Sequence, residues 1–162
     1  MTAYTKRIYE REFNILSAIK DLGITPKILD LTNNYVIMEK YDCTLLDYLY
    51  SINANETTLQ IIKEKITTLI NILHSNNIFH GDLHCDNIVI NLTDQSNINK
   101  SNIDVKLIDF DMASTFGDIT KDRLSRYNFL LEIKPPAKTI AKLVQYEKDL
   151  VNSFVFPKQQ YY

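Results

Sequence analysis

Oxygen-bearing side chains gather in two short stretches of this sequence. His80-Gly81-Asp82-Leu83-His84-Cys85-Asp86-Asn87 is a polar loop that places Asp82 and Asn87 five residues apart. Leu107-Ile108-Asp109-Phe110-Asp111 puts two more carboxylates behind an apolar strand. Carboxylates can take or orient a proton, and carboxylate and amide oxygens suit a hard divalent cation. His74, His80, His84 and Cys85 raise zinc as another use, but no second cluster of paired ligands accompanies them. His80 reads instead as a packing and hydrogen-bonding residue.

The first stretch fits H-x-D-L-x-x-x-N, and the second is an apolar strand followed by Asp-Phe. Together they resemble the catalytic loop and metal-binding turn of the protein-kinase-like superfamily. That resemblance implies ATP and Mg²⁺ as cofactors, and phosphoryl transfer, which asks a protein mainly for positioning and charge neutralisation. It makes Asp82 the residue that accepts or orients the proton of an attacking hydroxyl. It makes Asn87 and Asp109 the oxygen ligands of Mg²⁺, with Asp111 and His80 in support.

Tyr35-Val-Ile-Met-Glu-Lys-Tyr41 resembles the last small-lobe strand running into the hinge. The resemblance gives the backbone of Glu39 and Tyr41 to adenine and sets Met38 against the pocket. A helix over 6–21 resembles the regulatory helix, with Glu12 as its ion-pair glutamate. A helix over 56–75 resembles the long helix before the catalytic loop. In all, about residues 6 to 114 are covered.

Several features depart from the pattern. The glycines are Gly23, Gly81 and Gly117, so there is no Gly-rich phosphate loop. Eleven residues precede Glu12, whereas a strand, a turn and half a helix need roughly 15–20. The lysine that would pair with Glu12 is therefore expected to be missing, unless the natural start lies upstream of Met1. Gly81 stands where an Arg is usual, and Asp111 replaces the Gly after Asp-Phe. His-Gly-Asp-Leu-His is similar to aminoglycoside- and choline-type kinases. Ile-Asp-Phe-Asp is similar to lipopolysaccharide sugar kinases and to small kinases of large DNA viruses.

The elements that must position these residues are legible from periodicity. Ile8, Phe13, Ile15, Leu16 and Ile19 give the first helix a partly helical apolar pattern, ended by Gly23 and Pro26. Strands at 27–31 and 35–39 flank an Asn33-Asn34 turn, and Thr44 is placed to cap a helix over 45–52. Ile62, Ile66, Leu69, Ile70 and Leu73 form the stripe of helix 56–75, ended by Asn76-Asn77. Strands follow at 87–90 and 105–108, separated by a polar loop over 93–104. The remainder reads as helical, with Pro135-Pro136 opening a last helix that carries Ile140, Leu143, Val144 and Leu150.

The expected class is α+β: a kinase-like domain over 1–162 with a curtailed small lobe at 1–39 and a compact helical large lobe at 40–162. Its free strand edge and an apolar patch of Ile8, Phe13 and Ile15 invite a partner, either a second copy or another kinase. Three activities suit this reading: a Ser/Thr-type protein kinase, a catalytically weak kinase homologue that modulates another kinase, or a small-molecule kinase.

The chain has 162 residues, 45% hydrophobic and 23% charged, which is one globular domain. A net charge of -2, with no basic stripe interleaved with aromatics, argues against nucleic acid as a ligand. No apolar run suits a membrane span or signal peptide, and two cysteines suit a reducing compartment. The expected setting is cytoplasmic, the host cytoplasm if the source is viral.

Overall fold

The computed structural model describes residues 3–51, 55–92, 102–117 and 136–154, with side chains from 9 onward in the first helix and from 140 onward in the last. Helix α1 (Ala3–Ile19) leads into the antiparallel pair β1 (Ile28–Leu31) and β2 (Val36–Met38). Strand β3 (Cys43–Thr44) runs into α2 (Leu45–Leu49), and α3 spans Glu56–Ser75. Then come β4 (Ile78–Phe79), a 3-10 turn (Cys85–Asn87), β5 (Ile88–Leu92), β6 (Ile103–Leu107), β7 (Ser114–Thr115) and α4 (Pro136–Ser153). The α+β class holds.

Local chemistry sets these bounds. Thr44 and Asp47 form a reciprocal capping box that starts α2. The Asn55 side chain accepts from Thr58 N–H at 2.9 Å to start α3. At the far end Asn76 donates back into the last turn and Asn77 takes φ 57°, where Asn is tolerated. Gly23, with φ 68°, turns the chain after α1.

One core joins α1, α3, β5 and β6. Leu16 and Ile19 of α1 pack in the same cluster as Ile62, Ile66, Ile70 and Leu73 of α3 and Ile88, Ile90, Val105 and Leu107 of the sheet. Each such side chain is worth roughly 1.5–3 kcal/mol on burial. β5 and β6 pair antiparallel through Ile88↔Leu107, Ile90↔Val105 and Leu92↔Ile103, and β3 adds to β5 through Cys43↔Ile90. A smaller core of Phe79 and Leu143, flanked by Phe116, Ile140 and Val144, seats α4 against the β4–β7 pair.

Some expectations change. Ile15, expected in an exposed patch, is buried in the main core because it shares a face with Ile19. Phe13 is half-buried, and the Ile8 side chain lies outside those described. β6 starts at Ile103, inside the stretch expected to be loop, because Ile103 pairs with Leu92. Strand β7 interrupts the region expected to be helical. Residues 93–101 and 118–135 lie outside the described residues.

Candidate active site

The loop from His80 to Asn87 is held by backbone and buried polar groups. His80 is fully buried, and its Nε2 lies 2.9 Å from the Ile108 carbonyl. Its Nδ1 accepts from Asp82 N–H at 3.3 Å, so the proton of the neutral ring sits on Nε2. Burial holds the His80 pKa below its ordinary value. The ring also packs on Phe110 with centroids 4.7 Å apart. The expected packing role for His80 is what the structure gives: it ties the loop before Asp82 to the strand before Asp109.

Asn87 is 5% exposed, and its Nδ2 donates to the Asp82 carbonyl at 2.9 Å. That bond fixes which face of the amide is spoken for and turns Oδ1 away from Asp82. Ile108 N–H donates to the Asn87 carbonyl at 3.0 Å, which joins the loop's end to the approach of Asp109. Asp109 itself has φ 62°, a left-handed conformation in which a non-Gly residue is worth a functional question.

Four carboxylates converge here. Burial, then the charge and hydrogen bond of Asp109, then the charge of Asp82, push Asp111 above its ordinary value. Glu12 of α1 is pushed up by burial and by Asp109 and Asp111, while a hydrogen bond from Phe110 N–H partly offsets this. Glu12 thus faces the turn at 109–111. No lysine or arginine among the described side chains pairs with it. Such crowding of acids without a cation fits a site whose counter-charge arrives with a ligand. Among the described residues no set of three or more His, Cys, Asp and Glu side chains could by itself hold a metal. The histidines do not converge as a zinc site would require: His74 faces Glu147, His80 faces Ile108, and His84 lies between Asp82 and Asp86.

On the other side, Met38 is half-buried at the end of β2. Glu39 N–H is already given to the Lys27 carbonyl at 2.9 Å, so its own carbonyl is the group left to face a ligand. The Tyr41 hydroxyl donates to Asp104 of β6, and burial and this bond raise its pKa.

Sequence reasoning missed Glu147. This α4 side chain is 3% exposed; Oε2 lies 2.7 Å from His74 Nε2, and Oε1 accepts from Gly81 N–H at 2.8 Å. His84, weighed in the sequence only as a zinc ligand and a motif residue, has its Nε2 3.5 Å from Asp82 Oδ2 and 3.0 Å from Asn87 Nδ2. His84 could have been suspected from its place inside the motif; nothing local in the sequence marked Glu147.

Gly81, placed where an Arg is usual, has φ 80°, and a Cβ there would sit 2.3 Å from the Met112 carbonyl oxygen. The loop 80–87 and the turn after Asp109 come together at that point. Residues 7–130 match the family model of the protein kinase domain. With a match over most of its length, the chain belongs to the protein kinase domain family.

Proposed function

We propose that the protein is an ATP- and Mg²⁺-dependent phosphotransferase of the Ser/Thr protein-kinase type, transferring a γ-phosphoryl group to a hydroxyl. The observation that carries this reading is the Asn87 amide. Its Nδ2 is committed to the Asp82 carbonyl, which leaves Oδ1 as the ligand oxygen, and its backbone carbonyl accepts from Ile108 N–H, one residue before Asp109. Mg²⁺-ATP supplies the electrophilic phosphorus and a cation that offsets charge on its oxygens. Asp82 orients the acceptor hydroxyl and takes its proton. Asn87 and Asp109 hold the metal, and Asp111 supports Asp109. The Glu39 carbonyl, the Tyr41 N–H and Met38 form the adenine side.

A second reading has a specific support. Glu12 faces Asp109 and Asp111 and has no cationic partner among the described side chains, and the sequence has no Gly-rich phosphate loop. Contacts to the β- and γ-phosphates are worth a few kcal/mol each in a transition state. On this reading the chain is a weakly active homologue that binds a protein partner, another kinase or a second copy, through the small β1–β2 sheet.

One experiment separates the readings. Transfer from γ-labelled ATP to a mixed Ser/Thr peptide pool is measured for wild type and Asp82→Asn, beside calorimetry of Mg²⁺-ATP binding. Asp82-dependent transfer supports the first reading. Binding without transfer supports the second, and no binding overturns both.

A further inference from the structure

Strand β6 has two faces with different duties. Ile103, Val105 and Leu107 point into the core, while Asp104 and Lys106 lie on the opposite face, as the two-residue period of a strand requires. Those outward side chains reach two distant segments. Asp104 Oδ2 accepts from the Tyr41 hydroxyl, a contact across 63 residues of sequence. Asp104 Oδ1 lies 3.4 Å from Lys106 Nζ. Lys106 Nζ in turn donates to the Gly23 carbonyl at 2.7 Å, across 83 residues.

Both ends of this chain of contacts are reinforced by backbone. Asp42, next to Tyr41, donates its N–H to the Ile90 carbonyl at 3.1 Å and to Asn91 Oδ1 at 2.8 Å. Its carboxylate accepts from Leu92 N–H at 3.0 Å. At the other end Leu107 N–H donates to the Ile24 carbonyl at 2.9 Å. Gly23 and Ile24 follow α1, which carries Glu12, and β6 runs directly into Asp109. The Lys106 side chain is 20% exposed and that of Asp104 54%, so the brace rests on the geometry of its hydrogen bonds more than on the ion pair.

We propose that Asp104 and Lys106 are positioning residues that brace the Tyr41 segment and the end of α1 in one frame, so that movement at either is felt at the other through β6. The hydroxyl of Tyr41 is the near end of the brace and the Gly23 carbonyl is the far end. The proposal rests on the phosphotransferase reading only where it names the Tyr41 segment as a nucleotide contact.

Hydrogen–deuterium exchange on the intact protein tests it. Tyr41→Phe removes one hydroxyl and no packing surface; Lys106→Met removes the charge and keeps most of the stem. Without nucleotide, Tyr41→Phe should speed exchange at 20–28 as well as at 39–44, by about fivefold or more. Lys106→Met should do the same at 39–44. The double variant should match the larger single effect rather than the product of both. Exchange in α3 should stay unchanged, which a general loss of stability would not allow. With Mg²⁺-ATP added, wild type should gain protection in both segments and Lys106→Met only at 39–44.

Effects confined to the mutated segment, or multiplying in the double variant, would overturn the brace. A wild type that binds no Mg²⁺-ATP would remove the phosphotransferase reading, and the nucleotide-free comparison would still decide the brace. Asp104→Asn serves as a second break in the same chain if either single variant fails to fold.

Discussion

Gly81 and Glu147 are joined by a 2.8 Å hydrogen bond from the Gly81 N–H to Oε1, across 66 residues of sequence. The other carboxylate oxygen of Glu147 meets His74 Nε2 at 2.7 Å, so one buried α4 side chain ties the catalytic loop to α3. The ring of His74 also contacts Phe79 and Phe116, with centroids 5.8 and 6.5 Å away. The loop that carries Asp82 is thus held from behind by a polar group inside an aromatic shell.

Glu147→Ala removes an acceptor and a partner from a buried setting. It should cost about 3 kcal/mol in urea unfolding. Glu147→Gln keeps an oxygen for Gly81 and an amide group beside His74, and should cost less than half as much. Similar losses for both variants would mean that packing, rather than the hydrogen bond, is what Glu147 supplies.

Two glycines with positive φ should respond differently to alanine. Gly23→Ala meets nothing closer than Lys106 Nζ at 4.0 Å, so only the backbone conformation is penalised, by roughly 1 kcal/mol. Gly81→Ala drives a Cβ to 2.3 Å from a backbone oxygen and forces the metal turn to move. A loss of about 3 kcal/mol or more is expected in thermal unfolding. If the two variants melt together, Met112 yields freely and the interlock is not a constraint.

Asp109→Asn should change binding and stability in opposite directions. As a proposed metal ligand its loss should weaken Mg²⁺-ATP binding more than tenfold (~, by comparison with loss of outer-shell partners), while Asp82→Asn weakens it much less. The same variant relieves Asp111 and Glu12, both raised partly by the Asp109 charge. After allowance for solvent screening, the ligand-free protein should gain about 0.5 kcal/mol. Calorimetry and urea titration on one preparation check both signs, and unchanged Mg²⁺-ATP affinity would sink the metal assignment.

Glu12 gives a pH signature. Its folded pKa lies above the ordinary 4.5, so the folded state holds the proton more tightly than the unfolded chain does. The destabilising ionised form is absent well below 4.5 and fully present once pH exceeds the raised value. Glu12→Gln should therefore stabilise the ligand-free protein at neutral pH, and that gain should vanish as pH falls below the ordinary value. A gain that persists at pH 3.5 (~) would point to packing rather than charge.

Membership in the protein kinase domain family could be read from sequence because the stretches 80–87 and 107–111 carry particular residue types at fixed spacing. Helix α3 was legible because the apolar stripe and Asn76-Asn77 are local signals, and the structure adds the Asn55 cap at its start. What stayed hidden is long-range. The composition around Ile103 and Asp104 suggests a loop, and only pairing with Leu92 and Asn91 makes it a strand. Glu147 looks like any glutamate in an amphipathic helix until His74 and Gly81 are folded against it. Asp104 and Lys106 gain their meaning from Tyr41 and Gly23 in the same way.

The contact between Gly81 and Met112 also bears on which substitutions the loop can accept. The protein-kinase resemblance puts an arginine, the partner of an activation-segment phosphate, where this chain has Gly81. Grafting the arginine here is not a one-step change. Its Cβ would occupy the place of the Met112 carbonyl, and its backbone would have to leave the left-handed region. Gaining that arginine requires a second, simultaneous change in the turn after Asp111. A side chain at this position and the path of the turn after Asp111 are therefore coupled, so a substitution of Gly81 and a shift at Met112 have to come together.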